Sequence, residues 1–186
     1  MPNTELGTAL LMLARNALDR AVGSDSPSLQ GHTELDMPGA TFVTLTQQGE
    51  LRGCVGSLEA RWSLRRDVEQ NAVAAAFNDP RFAPLAADEL PYTRIEVSLL
   101  SAPAPLSFTD EEDLLQRLRP GVDGVILEWG GRRATFLPQV WDNLSDAREF
   151  IAALKDKAGV STNFWHDDMR VARYAVDKWK EAEARS

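Results

Sequence analysis

One short segment concentrates the residue types that do chemistry. Residues 51–58 read Leu51-Arg52-Gly53-Cys54-Val55-Gly56-Ser57-Leu58 and hold the only cysteine of the 186-residue chain. In a strand, successive side chains alternate between faces. Leu51, Gly53 and Val55 then point one way, and Arg52, Cys54 and Gly56 the other. The thiolate is the reactive form of cysteine, and an adjacent guanidinium favours it. Cys54 is therefore a candidate nucleophile or redox thiol, the alternative being a small packing residue, since unpaired cysteine is often buried. Arg52 offers a planar fork for a carboxylate or phosphate. Alternatively it forms a structural ion pair, for which Glu96 is the expected partner. Gly53 and Gly56 leave room for a bulge, a second backbone or a ligand. Asn78, Arg81 and Trp141 are candidate ligand contacts near this strand.

Other constellations are weaker. A cysteine hydrolase needs a base beside the thiol, usually histidine. The two histidines, His32 and His166, stand at no spacing that argues for this role. His166, Asp167 and Asp168 read as a solvated polar turn, and no metal site or cofactor is expected. Gly53-Cys54-Val55-Gly56 lacks the lysine and the spacing of a P-loop. Trp129, Phe136, Trp141, Phe164 and Trp165 read mainly as core, because aromatic side chains dominate ordinary cores. Trp141, which follows Pro138, is the one best placed for a cleft.

The elements that must position these residues follow from periodicity and punctuation. Leu6, Leu10, Leu13, Ala14, Ala17 and Leu18 predict a helix over 4–22, with Thr4 as N-cap and Gly23 as stop. Residues 23–40, rich in Ser, Pro, Gly and Asp, read as a surface loop. Thr41–Gln47 and the Leu51 strand flank a tight Gln48-Gly49-Glu50 turn and form a hairpin. Ser63 caps a helix that runs to Phe77, and Pro80 keeps Asp79 out of helical angles. Arg94–Ser101 is a strand with Ile95, Val97 and Leu99 on one face. Thr109-Asp110-Glu111-Glu112 opens a helix as a capping box. Gly130-Gly131 joins a second hairpin of Val122–Trp129 and Arg132–Leu137. Ser145 caps a further helix that ends at Gly159, and Arg170–Trp179 reads as a final strand. The hairpin-helix-strand theme thus occurs over 40–100 and again over 122–180, which suggests an internal duplication. Hairpins outnumber β-α-β crossovers, so the expected class is α+β, an antiparallel sheet with flanking helices in two lobes.

A chain of this length suits one domain and buries a core without disulfides. A single cysteine forms no internal disulfide, which points to a reducing compartment. No stretch approaches the ~18 apolar residues of a membrane span. The N-terminus lacks a basic signal-peptide start, so a cytoplasmic location is expected. The net charge of −8 and pI near 4.8 argue against nucleic acid, whose binding rests on clustered Lys and Arg. Arg61, Arg65 and Arg66 are diluted by Asp67 and Glu69 and read as a solvated helix face.

Leu51-Arg52-Gly53-Cys54-Val55-Gly56 closely resembles the signature Leu-Arg-Gly-Cys-Ile-Gly of the AMMECR domain family, also called system protein A of the AmmeMemoRadiSam group. Only Val55 departs from it. Asn78-Asp79-Pro80-Arg81-Phe82, Ile95-Glu96-Val97-Ser98, Gly121–Leu127, Ala134–Trp141 and Lys157-Ala158-Gly159 are similar to further family segments in the same order. The resemblance covers nearly the whole chain, 1–186, as a single domain of this type. It implies a two-lobed α+β fold and a catalytic or binding site at the signature strand. It also implies two neighbours as partners, a radical S-adenosylmethionine protein and a Memo-like protein. The ligand is read as a small molecule or peptide. In this reading Arg52 binds an anionic group, Cys54 supplies a thiol, and Glu96 orients Arg52 or moves a proton.

Overall fold

A computed structural model of the chain describes residues 3–27 and 31–182. Residues 1 and 2 of the N-terminus and 28–30 of the expected 23–40 loop lie outside the described residues. The chain divides into two compact units, one running through Leu100 and resuming at Asp177, the other Ser101–Val176. Both are built of antiparallel sheet and helices, the expected α+β class.

In the first unit, helix α1 (Thr4–Ala21) buries Leu6, Leu10, Leu13, Ala14, Ala17 and Leu18. This is the stripe read from its spacing. Its cap is Asn3, whose side chain accepts from the Glu5 and Leu6 N–H groups at 3.1 and 3.3 Å, so Thr4 is the first helical residue. Asparagine is among the strongest N-caps, which explains the one-residue shift. A short 3₁₀ turn, Thr33–Asp36, interrupts the expected loop and buries Leu35.

Strand β1 (Pro38–Gln47) pairs with β2 (Glu50–Gly56) through a two-residue turn. Gln48 and Gly49 both have positive φ, 51° and 84°, as the twist of a tight hairpin requires. Strand β3 (Trp62–Ser63) meets the start of β1. Ser63 caps helix α2 (Leu64–Phe77), as expected, accepting from the Arg66 N–H. Strand β4 (Thr93–Leu100) lies antiparallel to β1, with Val43 opposite Val97 and Leu45 opposite Ile95. These apolar pairs face α1 and α2 in one core. Asp67 of α2, buried, accepts from the N–H and hydroxyl of Thr41 at 2.7 Å each, pinning α2 to β1.

In the second unit, β5 (Ala104–Pro105) is followed by α3 (Glu111–Arg117), β6 (Gly124–Trp129), β7 (Arg132–Phe136), α4 (Ala147–Lys157) and β8 (Arg170–Tyr174). The capping residues are Asp110 and Asp146, each one position after the expected Thr109 and Ser145. An aspartate at an N-cap also favours the positive end of the helix dipole. Gly130 and Gly131 have φ of 57° and 77°, and Gly159 has 73°, where hairpin and helix end were expected. The buried aromatics Trp141 and Phe150 stack at 3.7 Å within this core.

The expected final strand is two. Tyr174 ends β8 in the second sheet, and β9 (Val176–Lys180) pairs with β4 in the first. Trp179 of β9 closes on Gly7 of α1, where an added Cβ would stand 2.1 Å from the indole. The strand orders are β2-β1-β4-β9 and β5-β8-β6-β7. In each unit, therefore, the strand after the helix pairs with the first strand of the hairpin. No helix among the described residues is long and apolar enough to cross a membrane.

Candidate functional site

The signature strand β2 is an edge strand, and its register is broken at the residue that matters most. Leu45 faces Gly53, but Thr46 faces Leu51, leaving Arg52 as the extra residue of a β-bulge. A bulge turns the side chain that alternation would place. Arg52 and Cys54 therefore do not share a face, contrary to the strict alternation read from the sequence. The Arg52 Nε and Nη2 donate to the two Glu89 oxygens at 2.9 and 3.0 Å. Glu89 also accepts from the Ala86 N–H at 2.7 Å and from Gln47 Nε2 at 3.2 Å. Gln47 and Leu45 share the helix-covered face of β1, so Arg52 turns toward that side.

The expected Arg52–Glu96 pair is accordingly replaced by Arg52–Glu89. The Arg52 guanidinium holds the Glu89 carboxyl down to about 2, from a usual 4.5, with help from the Ala86 N–H and the Gln47 amide. Arg52 Nη1 is buried with no hydrogen-bond partner among the described residues.

Cys54 lies on the opposite, outer face, half-buried, directly across from Thr44. The Thr44 hydroxyl donates to Sγ at 3.4 Å. Its backbone N–H, pointing off the sheet edge, donates to Asp79 Oδ2 at 2.9 Å. The same carboxylate accepts from the Arg81 Nη2 at 2.7 Å, the Arg81 Nε at 3.0 Å and the Arg81 N–H at 3.1 Å. The Arg81 guanidinium, followed by the Cys54 amide, holds the Asp79 carboxyl far below the usual carboxylate range. In return the Asp79 carboxylate raises Arg81. The guanidinium tied to the Cys54 backbone, through Asp79, is thus Arg81, not Arg52. Its side chain is 55% exposed while that of Asp79 is 3% exposed, so the cation reaches solvent from a buried anchor.

The remaining expected residues distribute as follows. Glu96 stands across β1 from Cys54 on the outer face, since Thr44 opposes both. Two strand spacings put them about 10 Å apart, with Thr44 between. The two glycines do not hold space open for a ligand. A Cβ at Gly53 would sit 2.1 Å from the Ala75 carbonyl oxygen of α2, and one at Gly56 2.2 Å from the Phe42 ring. Asn78 is the exposed C-cap of α2. Trp141, expected in a cleft, is a core residue, 3% exposed, with its indole N–H donating to the Asp123 carbonyl at 2.8 Å.

Sequence reasoning passed over Asp79, Glu89 and Thr44. Asp79 did carry a signal. An aspartate that accepts from the N–H two residues on forms an Asx-turn, and Asp-Pro-Arg is a sequence that makes one.

The AMMECR1 family model matches residues 11–179. The chain belongs to the AMMECR1 family. A protein of Saccharolobus islandicus, LS215_2104, is 36% identical over 181 residues, covering 92% of this chain and 80% of that one. A Methanothermobacter thermautotrophicus protein is 34% identical over 187 residues, covering 94% of each. The crystal structure of the uncharacterized protein PH0010 from Pyrococcus horikoshii superposes with a TM-score of 0.83 at 30% identity, covering 96% of this chain and 93% of that one. The fold is thus shared with a solved structure over 96% of the chain. Within it, the residues that surround Cys54 come from β1, β2 and the turn after α2.

Proposed function

We propose that the outer face of β2 is a ligand site with thiol chemistry, in which Cys54 attacks or engages a small electrophile or disulfide and Arg81 recognises its anionic group. The observation that carries this reading is the Asp79 bridge. One buried carboxylate holds both the Cys54 amide and the Arg81 guanidinium, so a cation is anchored to the residue that carries the only thiol. Reactive cysteines occupy partly exposed, electropositive surroundings of this kind. The edge position of β2 leaves Cys54 approachable, and Thr44 orients Sγ by its hydrogen bond. Glu96, one strand beyond, acts on a bound ligand rather than on Sγ itself.

The test needs no known substrate. With a single thiol, alkylation reports on Cys54 alone. The folded protein reacts with both iodoacetate and iodoacetamide. Replacing Arg81 by glutamine lowers the iodoacetate-to-iodoacetamide rate ratio by roughly threefold at low salt, the scale of one screened charge at a surface. An unchanged ratio removes Arg81 as the anion-recognising group. Labelling that appears only on unfolding makes Cys54 a packing residue and overturns the thiol reading. In that case an accessory role alongside radical S-adenosylmethionine and Memo-like proteins takes its place. Full cellular function in a Cys54→Ser variant would point the same way.

A further inference from the structure

We propose a second binding site, for a cationic side chain of a peptide, in the cleft at the turn end of the β1–β2 hairpin. It is independent of Cys54 and lies on the side of the strand to which the bulge sends Arg52. The cleft has a volume of ≈ 730 Å³ and is lined by Glu50, Leu51, Arg52, Asp88, Glu89 and Tyr92, together with two glutamines. Three carboxylates against one guanidinium leave this lining with a net charge of −2.

The carboxylates are not equivalent. Glu89 is spent on Arg52, Gln47 and the Ala86 amide. The side chains of Glu50 and Asp88 make no hydrogen bond or ion pair among the described residues. They supply uncommitted negative charge on either side of the cleft. Tyr92 is 73% exposed and Leu51 is 42% exposed. An exposed aromatic ring beside carboxylates is the arrangement that holds a guanidinium or ammonium group, by cation–π attraction on one side and charge on the other. Leu51 offers an apolar surface to the methylene stem of such a side chain.

Arginine matches best, because its planar head stacks on an aromatic face and meets a carboxylate with paired donors.

The experiment titrates N-acetyl-arginine amide into isotope-labelled protein and follows backbone amide shifts. N-acetyl-citrulline amide serves as the uncharged isostere. The arginine probe moves the resonances of Leu51, Asp88 and Tyr92 and saturates in the millimolar range, roughly what its size allows. The citrulline probe binds at least about fivefold more weakly, the loss of one charge contact in a solvated cleft. Asp88→Asn and Glu50→Gln, both at exposed positions, each weaken the arginine probe roughly three- to tenfold and leave the citrulline probe unchanged. The same shifts appear in a Cys54→Ser protein, which separates this site from the thiol site. Equal binding of the two probes, shifts confined to other regions, or no shift at saturating probe each overturns the proposal.

Discussion

Gly53→Ala destabilises the protein by about 3 kcal/mol, at the upper end of the cost of overpacking a well-filled site. The added methyl meets the Ala75 carbonyl oxygen at 2.1 Å, a backbone atom of α2 that no rotamer change can move aside. The edge strand must shift away from the helix, which also draws the Cys54 amide off Asp79. Gly56→Ala is the internal control. There the obstruction is the half-buried Phe42 ring, which can rotate, and the cost is about 1 kcal/mol. Urea unfolding of both variants reads the difference directly. A lower iodoacetate-to-iodoacetamide rate ratio at Cys54 in Gly53→Ala than in wild type reports the lost anchor. A Gly53→Ala midpoint no lower than that of Gly56→Ala would mean that α2 does not press on the signature strand.

The second large effect concerns Glu89, and it is asymmetric. Glu89→Ala leaves the Arg52 guanidinium without its bidentate partner, while 86% of that side chain is withdrawn from solvent by the 14% exposure of Arg52. Breaking a buried pair from one side costs about 3–5 kcal/mol. The 31% exposure of Glu89 brings the expected loss to about 2–3 kcal/mol. Arg52→Met costs less, about 1 kcal/mol, because Glu89 keeps the Ala86 and Gln47 donors and the orphaned Nη1 disappears. The double variant Arg52→Met/Glu89→Ala recovers most of the Glu89→Ala loss. A double variant no more stable than Glu89→Ala alone would show that the pair's charge is not what the pocket tolerates.

The same pair sets an acid dependence. The folded Glu89 carboxyl lies at about 2 against 4.5 when unconstrained. A carboxylate lowered on folding stabilises the native state above its unfolded value and loses that contribution as pH falls toward the folded one. Stability from this source is therefore complete above about pH 4.5 and declines between about pH 4.5 and 2. Glu89→Gln keeps a polar side chain but has no proton to gain, so its unfolding midpoint falls less steeply over this window than that of wild type. Parallel pH profiles for the two proteins would assign the acid sensitivity to other carboxylates.

Much of this architecture is written locally. The Gln48-Gly49 and Gly130-Gly131 turns, the helical stripe of α1, the Ser63 cap and the Gly159 stop were legible because a few residues' own φ/ψ preferences or spacing decide them. The caps of α1, α3 and α4 moved by one residue because an Asn or Asp stood beside each expected Thr or Ser and caps at least as well. The α+β class followed from the number of hairpins. The candidate site was legible as residue types: an Arg, a Gly and a Cys on one strand, and Arg81 downstream, but not the Asp79 that holds it.

Which of those residues meet was decided by tertiary pairing. The bulge at Arg52 exists only in the register of β2 against β1, and it sends Arg52 to Glu89, 37 residues away. Arg81 rather than Arg52 is the guanidinium tied to the Cys54 amide, through a buried Asp79. Trp141 is core because Phe150 of α4 stacks on it, a contact between segments that share no local pattern. The C-terminal strand divides because its two halves complete different sheets, one with β6 and one with β4. The sequence by itself determined most of the helices and hairpins and the residue types at the site, since these depend on near neighbours along the chain. The tertiary structure alone decided their partners, because hydrogen-bonded register and burial are properties of strands and helices brought together.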